Sequence, residues 1–235
     1  MTARNEDGVL VKTPYKKQQF TEQELQEFMK CADPDTGPEY FLRNFFFIQH
    51  PVQGKIQYDP WEFQERLIKT YHNYRFSISM MPRQTGKSTS AAGYLLWFAM
   101  FKPDSTILVA AHKYAGAQEI MQRVRYSYEA CPDHIRAGAT SYNKGSIEFD
   151  NGSRIVAQTT TENTGRGMSI TLLYCDEFAF VRPTIAKEFW TSISPTLSTG
   201  GGAIITSTPN SDEDQFAFIW KGANKTEDEY GNTKE

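Results

Sequence analysis

A segment with clear chemical potential lies at residues 80–89, where a short apolar run meets Gly-Lys-Ser-Thr and then an apolar, helix-like stretch. Amides at the start of such a helix carry the positive end of its dipole, which stabilises a polyanion such as triphosphate. The Lys87 ammonium adds a point charge near the β- and γ-phosphates, and the Ser88 hydroxyl offers a ligand to Mg²⁺. The spacing predicts a phosphate-binding loop, whose nucleotide-binding residues are Gln84, Thr85, Gly86, Lys87, Ser88 and Thr89.

One position of this loop departs from the usual G-x-x-x-x-G-K-S/T pattern, because Met81 stands where the first Gly is expected. A Gly-Lys-Ser triplet also arises often by chance. On these residues alone, an ordinary polar turn explains the segment as well as a phosphate loop does, so the rest of the chain has to decide.

Two adjacent carboxylates, Asp176 and Glu177, close the apolar run 170–175, with Asp176 lying 89 residues after Lys87. A strand that ends in this way matches the Walker B pattern. In that interpretation Asp176 holds Mg²⁺ through its water shell, while Glu177, pointing the other way, orients and deprotonates the attacking water. Two acids at a strand end are also common as solvated termini, but the phosphate loop upstream favours the catalytic interpretation.

Another apolar run, 203–205, ends in the hydroxyl side chains of Thr206, Ser207 and Thr208. Such a strand could lie between the strand before the phosphate loop and the strand that ends in Asp176 and Glu177. It can then sense the γ-phosphate through Ser207 or Thr208 and transmit that change to the moving part of the protein. A core strand followed by a polar turn is an equally good interpretation, so the residues leave both open.

Two further residues are candidates for contacts with a nucleotide. Gln64 follows Trp61 just upstream of the phosphate loop. In many nucleotide-driven motors such a Gln reads the adenine edge with its amide, although a solvent-facing Gln on an amphipathic helix gives the same pattern. Arg166 lies in the polar, glycine-flanked loop 159–168, which is suited to present its side chain outside the backbone of the loop.

The elements that must position these residues alternate between strands and helices. A capping box at Thr21–Glu24 and a helix start at Asp59-Pro60 precede the phosphate loop, with Asp59 as the expected N-cap. Apolar patterns further along predict strands at 76–81, 106–111, 170–177 and 203–208, helices at 90–101 and 114–130, and a hairpin at 146–157. This order predicts an α/β fold with a mostly parallel central sheet flanked by helices.

The aromatic stretch 40–48 contains a single Arg, so core packing is a better interpretation than base stacking.

Composition narrows the classes of function. The net charge is −3, and most of the acidic excess falls in 209–235, so a role with nucleic acid has to rest on a local basic face. Cys31, Cys131 and Cys175 form no C-x-x-C pair, which predicts neither a zinc site nor a disulfide framework. We expect a soluble protein without a signal peptide or membrane span, because no apolar run approaches about 18 residues.

The ordered set of segments resembles the ATPase domain of tailed-phage large terminase subunits. The segments that carry the resemblance are 81–88, 142–153, 165–167, 173–177 and 205–210, within a match of about residues 58–220. The phosphate loop of that family also departs from the usual first Gly and has Arg-Gln before Gly-Lys. The resemblance implies a P-loop NTPase of the type with an additional strand and a catalytic glutamate, which hydrolyses ATP with Mg²⁺.

The resemblance also assigns roles to single residues. It implies that Arg83 contacts the γ-phosphate in cis, that Glu177 is the catalytic acid, and that Arg166 is a candidate arginine finger reaching a neighbouring subunit. It makes residues 206–208 the coupling motif and Ser88 and Asp176 the metal-binding pair. An arginine finger can raise the rate about a thousandfold or more, enough to make hydrolysis wait for ring assembly.

For the whole protein, the resemblance implies ATP-driven packaging of double-stranded DNA into a prohead. Expected partners are the portal protein, the small terminase subunit and further copies in a ring, in the host cell cytoplasm and transiently at the portal. We expect an N-terminal extension at 1–57, the ATPase domain at 58–220 and a polar linker or tail at 221–235, with the family's nuclease domain outside this chain. Rival hypotheses are another motor such as a helicase and a nucleotide-binding scaffold without turnover.

Overall fold

The computed structural model describes residues 10–225, which form a seven-stranded sheet, a separate two-stranded hairpin and seven α-helices. The strands are β1 (Phe47–His50), β2 (Gly54–Gln57), β3 (Phe76–Met80), β4 (Thr106–Ala111), β5 (Ala139–Tyr142), β6 (Ser146–Phe149), β7 (Arg154–Thr159), β8 (Leu172–Asp176) and β9 (Gly202–Ser207). The helices are α1 (Glu22–Ala32), α2 (Gly37–Phe45), α3 (Glu62–Asn73), α4 (Lys87–Phe101), α5 (Tyr114–Ala130), α6 (Pro183–Ile193) and α7 (Gln215–Ala223).

The large sheet has the strand order β3-β9-β8-β4-β7-β6-β5, while β1 pairs with β2. Its first five strands are parallel, whereas β6 is antiparallel to both of its neighbours, β7 and β5. The predicted mostly parallel sheet is therefore confirmed, as is the hairpin, which forms β6 and β7. Because the carboxyl ends of parallel strands meet at one edge, residues that follow β3, β9, β8, β4 and β7 share the edge where open α/β sheets bind ligands.

The central strands are apolar on both faces because helices cover both sides of the sheet. In β4, Ile107 and Val109 pack in the cluster formed with α1 to α5, whereas Leu108 and Ala110 pack in the cluster formed with α6 and α7. This alternation follows from the two-residue period of a strand. The continuous apolar run that predicted β4 is thus explained by burial from two directions.

The segment before the phosphate loop belongs to the same packed core as the loop's helix. Phe41 and Phe46 are 0% exposed, so the prediction that the aromatic stretch is core is confirmed. Trp97 of α4 is buried too, and its Nε1 donates a hydrogen bond to the Cys31 carbonyl of α1 at 2.8 Å. The capping box at Thr21 is also present, with both of its hydrogen bonds made.

The predicted start of α3 is wrong by two residues. The helix begins at Glu62, and Trp61 in extended conformation is the N-cap, so Asp59 does not cap it and Pro60 precedes it. The reason lies in Gln64, whose Oε1 accepts the Trp61 N–H at 3.0 Å and satisfies the donor that opens the helix. The phosphate-loop helix likewise begins earlier than predicted, at Lys87.

The boundaries of the predicted domains stay predictions. Helix α7 runs through residue 220 to Ala223, and residues 226–235 of the predicted tail lie outside the described part of the chain. Within residues 10–225, the structure has no helix with the length and apolar character needed to cross a membrane.

Candidate nucleotide-binding and hydrolysis site

The phosphate loop joins β3 to α4 and passes twice through left-handed backbone conformations, at Gln84 (φ +61°) and Gly86 (φ +75°). Gly86 has no space for a side chain, because a Cβ there would lie 2.5 Å from Gln64 Nε2. The helix starts with the next residue, Lys87, so unpaired amides of its first turn adjoin the loop. This is the strand, loop and helix context that the predicted phosphate loop requires.

Gln64 packs against this loop and is only 6% exposed, so the solvent-facing alternative is wrong. Its Nε2 donates to the Thr85 carbonyl at 2.9 Å, while its Oε1 accepts from Trp61. The amide therefore ties the start of α3 to the phosphate loop. The Trp61 ring beside it is 73% exposed, and adenine recognition by Gln64 stays a prediction.

Lys87 and Ser88 meet the two acids at the edge of the sheet. Lys87 Nζ lies 2.7 Å from Glu177 Oε1, with the lysine 6% exposed. Ser88 Oγ donates to Asp176 Oδ1 at 3.3 Å. Two segments that are distant in sequence thus converge on one small volume, as the Walker interpretation requires.

Glu177 is held by groups on both sides. It adopts φ +50° directly after β8, and its Oε2 accepts hydrogen bonds from the Thr208 N–H at 3.0 Å and the Thr208 hydroxyl at 2.9 Å. Burial by itself raises the pKa of Glu177, but the hydrogen bonds from Lys87 and Thr208 outweigh burial and place that pKa below its ordinary value. The carboxylate is therefore ionised and fixed in place at neutral pH.

Asp176, the last residue of β8, sits in a more buried setting. Burial raises its pKa, while hydrogen bonds from Tyr174 and Thr206 oppose the shift. The Tyr174 hydroxyl donates to Asp176 Oδ1 at 2.9 Å, and the Thr206 hydroxyl donates to the same oxygen at 3.3 Å. Tyr174 is not among the predicted site residues, although the two-residue period of a strand places residues 174 and 176 on one face and could have indicated it.

Strand β9 lies between β3 and β8, in parallel register with both, which is the position that the sensing interpretation requires. Its carboxyl end carries hydroxyls that contact the acids or the turn after them. Thr206 contacts Asp176 and Thr208 contacts Glu177, while Ser207 Oγ accepts from the Ala179 N–H at 3.1 Å. Hydrogen bonds therefore connect both acids to the carboxyl end of β9.

Arg83 and Arg166 are both exposed, and within residues 10–225 neither guanidinium has a hydrogen-bond or ion-pair partner. The loop that carries Arg166 is stabilised from within, since Thr164 Oγ1 donates to the Thr159 carbonyl at 2.6 Å. It connects β7 to β8, and a Cβ at the adjacent Gly165 would lie 2.9 Å from Leu108 of β4. Arg83 lies in the phosphate loop itself, whereas Arg166 lies in this separate loop.

The oxygen donors at this site fit Mg²⁺. Ser88 supplies a hydroxyl and Asp176 a carboxylate, which are hard ligands of the kind that Mg²⁺ takes together with substrate phosphates and water. The part of the chain that the structure describes contains no group of three or more His, Cys, Asp or Glu side chains that could hold a metal by itself. Such a sparse set suits a cation that arrives with a nucleotide.

A phosphate loop, a strand ending in paired acids and a third strand between them define the class of the P-loop NTPases, of the type with a catalytic glutamate beside the metal carboxylate. Within that class, a family model described as "Terminase large subunit, T4likevirus-type, N-terminal" matches residues 78–234, and the chain belongs to this family. It is accordingly an ATPase domain of the large terminase type.

Solved structures share the fold at low sequence identity. The large terminase of bacteriophage HK97 is 19% identical with a TM-score of 0.64, over 78% of this chain and 40% of that one. The ATPase domain of the Thermus phage P74-26 large terminase is 21% identical with a TM-score of 0.56, over 76% and 74%. The UvsW helicase of bacteriophage T4 is 12% identical with a TM-score of 0.53, over 79% and 64%. Because a helicase has this fold too, the family match is what separates a terminase from the helicase alternative.

Proposed function

We propose that this chain hydrolyses magnesium-bound ATP, and that in the whole terminase this hydrolysis drives double-stranded DNA into a viral prohead. The observation that carries the proposal is the meeting of Lys87 with Glu177 at 2.7 Å and of Ser88 with Asp176 at 3.3 Å. A phosphate-binding ammonium, a metal-binding hydroxyl, a metal-binding carboxylate and a base are the groups that phosphoryl transfer to water requires.

Substrate binding begins with the loop amides and Lys87. The triphosphate carries more negative charge than the one carboxylate that Lys87 contacts in this structure, so it displaces Glu177 as the partner of the ammonium. Ser88 and, through water, Asp176 would hold Mg²⁺, which neutralises charge on the β- and γ-phosphates. Gln64 keeps the loop in shape through its hydrogen bond to the Thr85 carbonyl, and in this proposal its amide also contacts the adenine.

Glu177 then acts on the attacking water. Once Lys87 has turned to the phosphates, Glu177 Oε1 is free to accept a proton from the water, while Thr208 still holds Oε2. The water oxygen attacks the γ-phosphorus, the bond to the β-phosphate oxygen breaks, and ADP leaves. The hydrogen bonds between Thr208 and Glu177 connect this step to β9, so residues 206–208 are the coupling segment of the proposed motor.

Two arginines complete the proposed chemistry. Arg83, in the phosphate loop itself, contacts the γ-phosphate of its own subunit. Arg166, in the loop between β7 and β8, serves a neighbouring subunit as an arginine finger. Hydrolysis at full rate therefore requires a ring of identical subunits.

The partners follow from this role. They are double-stranded DNA, the portal protein of the prohead and the small terminase subunit, met in the host cell cytoplasm. We do not assign a nuclease activity to residues 10–225, because paired acids at a phosphate loop serve nucleotide hydrolysis and no second carboxylate cluster occurs in these residues.

The proposal is tested by comparing wild type with Glu177→Gln. We expect the variant to bind a fluorescent ATP analogue several-fold more tightly, because Lys87 loses its competing carboxylate, and to lose at least a hundredfold in steady-state ATP turnover. Glu188→Gln, which changes an exposed glutamate of α6, is the matched control and should leave both measurements unchanged. Unaltered turnover in Glu177→Gln would refute the assignment of the base, and prohead-independent strand separation by the full-length protein would favour a helicase.

A further inference from the structure

A buried tyrosine stands directly behind the proposed metal carboxylate. Tyr174 is 0% exposed and precedes Asp176 by two residues in β8, so the two side chains lie on the same face of the strand. Its hydroxyl donates to Asp176 Oδ1 at 2.9 Å and lies 3.1 Å from Thr206 Oγ1. The phenol therefore joins β8 and β9 at the proposed metal-binding residue.

The hydrogen bonds to Asp176 are unequal between its two oxygens. Tyr174, Thr206 and Ser88 all donate to Oδ1, at 2.9, 3.3 and 3.3 Å. No residue within 10–225 donates to Oδ2. One oxygen is thus held by hydroxyls from the protein while the other keeps its acceptor capacity for an outside group, such as the water shell of a cation.

Packing alone does not explain a tyrosine at this position. A phenylalanine would fill almost the same volume, and a buried hydroxyl is unfavourable unless it has a hydrogen-bond partner. Here the partner is a carboxylate, the acceptor that forms the stronger, charge-assisted class of hydrogen bond. The hydroxyl is therefore best explained by what it does to Asp176.

We propose that Tyr174 is a positioning residue for magnesium. Its hydroxyl, together with Thr206, fixes the rotation of the Asp176 carboxylate through Oδ1 and leaves Oδ2 available to the water shell of the cation. This inference rests on the proposed function, because it assumes that Asp176 serves a magnesium-bound nucleotide. Groups that orient a metal ligand typically change metal affinity or activity by about 10- to 100-fold when they are removed.

The test is Tyr174→Phe, which removes one oxygen atom and preserves the ring. The Mg²⁺ concentration at half-maximal binding of mant-ADP is measured by fluorescence, and we expect it to rise about tenfold. Affinity for mant-ADP without Mg²⁺ should be unchanged, and saturating Mg²⁺ should restore most of the turnover number. A residue needed only for folding would not produce this selective dependence on Mg²⁺.

The matched control is Tyr128→Phe. Tyr128 is equally buried, and its hydroxyl donates to the Ala137 carbonyl at 2.7 Å, in a part of the chain remote from the acids. We expect this variant to lose some thermal stability with no change in the Mg²⁺ midpoint. An equal shift in both tyrosine variants, or no shift in Tyr174→Phe, would overturn the proposal.

A second pair of variants covers the case in which Tyr174→Phe does not fold. Thr206→Ser retains the hydroxyl and should keep the wild-type Mg²⁺ midpoint, whereas Thr206→Val removes it and should raise the midpoint. Equal midpoints in these two variants would overturn the proposal.

A wild type that binds mant-ADP with Mg²⁺ and does not turn over ATP would contradict the proposed function, while the midpoints would still decide the role of Tyr174. Absence of mant-ADP binding to wild type would overturn both.

Discussion

Glu177 is the residue with two competing tasks. In this structure its oxygens are engaged by Lys87 and Thr208, yet the proposed reaction needs one of those oxygens to accept a proton from water. In the proposed function, triphosphate competes for the Lys87 ammonium, so substrate binding releases the base. The proposal therefore implies that the nucleotide-free site does not activate water.

Asp176 is a site residue whose burial lowers the stability of the folded protein. Burial raises its pKa, which means that the folded state disfavours the charged form and loses stability by holding it. This loss is present above the raised folded pKa and disappears as the pH falls through it, because the group then becomes protonated in the fold. Below the ordinary pKa of Asp, no difference remains.

Asp176→Asn should therefore stabilise the nucleotide-free protein while it abolishes Mg²⁺-dependent hydrolysis. We expect a higher thermal midpoint than wild type at pH 7, and we expect that advantage to shrink as the pH is lowered towards 4, because Asn does not ionise. Differential scanning calorimetry across this pH range measures the effect. The control is Asp212→Asn, which changes an exposed aspartate that pairs with Lys221. A lower midpoint at pH 7, or an advantage that is constant with pH, would contradict the burial argument.

The phosphate loop and the strands around it form the element that converts these residues into a site. Gln64, in the first turn of α3, donates a hydrogen bond to the Thr85 carbonyl, and a Cβ at Gly86 would lie 2.5 Å from Gln64 Nε2. The loop's shape is therefore set by contacts with a helix that precedes it in sequence as well as by its own glycine. A change at this glycine should act through Gln64.

Gly86→Ala should weaken nucleotide binding about tenfold, or ~1.4 kcal/mol. The new Cβ would force the Gln64 amide to release Thr85, and an L residue at this φ is strained. Gly54→Ala is the matched control, since Gly54 has a similar φ of +72° with nothing within 4 Å of the added Cβ. The control should cost about 1–2 kcal/mol of stability and leave mant-ADP affinity unchanged. Equal affinity losses in both variants would show that remote strain, not the collision with Gln64, is responsible.

The elements that the sequence predicted well are those whose signals are local. Alternation and apolar runs were sufficient for β4, β6, β7 and α5, whereas the loop at Gly86 and Lys87 was predicted only together with the strands and paired acids that follow it. The contacts from Gln64 to Thr85 and from Tyr174 to Thr206 join residues that are 21 and 32 positions apart. No local pattern specifies such contacts, because they depend on the strand order and on the exact start of α3.

At the scale of the whole molecule, the proposed ring would bring the Arg166 loop of one subunit to the site of the next. The Arg166 guanidinium has no partner within residues 10–225, and its loop is held by internal hydrogen bonds such as Thr164 to Thr159. A rigid loop with a free cation is suited to enter the site of a neighbour, because little ordering entropy is lost on contact.

Arg166→Ala should lower ATP turnover of the assembled ring about a thousandfold and leave the low turnover of the isolated chain unchanged. Mixing this variant with Glu177→Gln should recover part of the activity, since a subunit with an intact base can then adjoin one with an intact finger. Arg182→Ala, at an exposed position before α6, serves as control. An equal loss in the isolated chain would place the Arg166 effect in cis.

The most direct measurement is an experimental structure with Mg²⁺ and a non-hydrolysable ATP analogue. We predict that Lys87 leaves Glu177 for the β- and γ-phosphates, that Ser88 and Asp176 adjoin the cation, and that Glu177 faces a water in line with the γ-phosphate. An analogue bound elsewhere, with the ion pair of Lys87 and Glu177 still intact, would contradict the central claim that these four residues form one hydrolytic site.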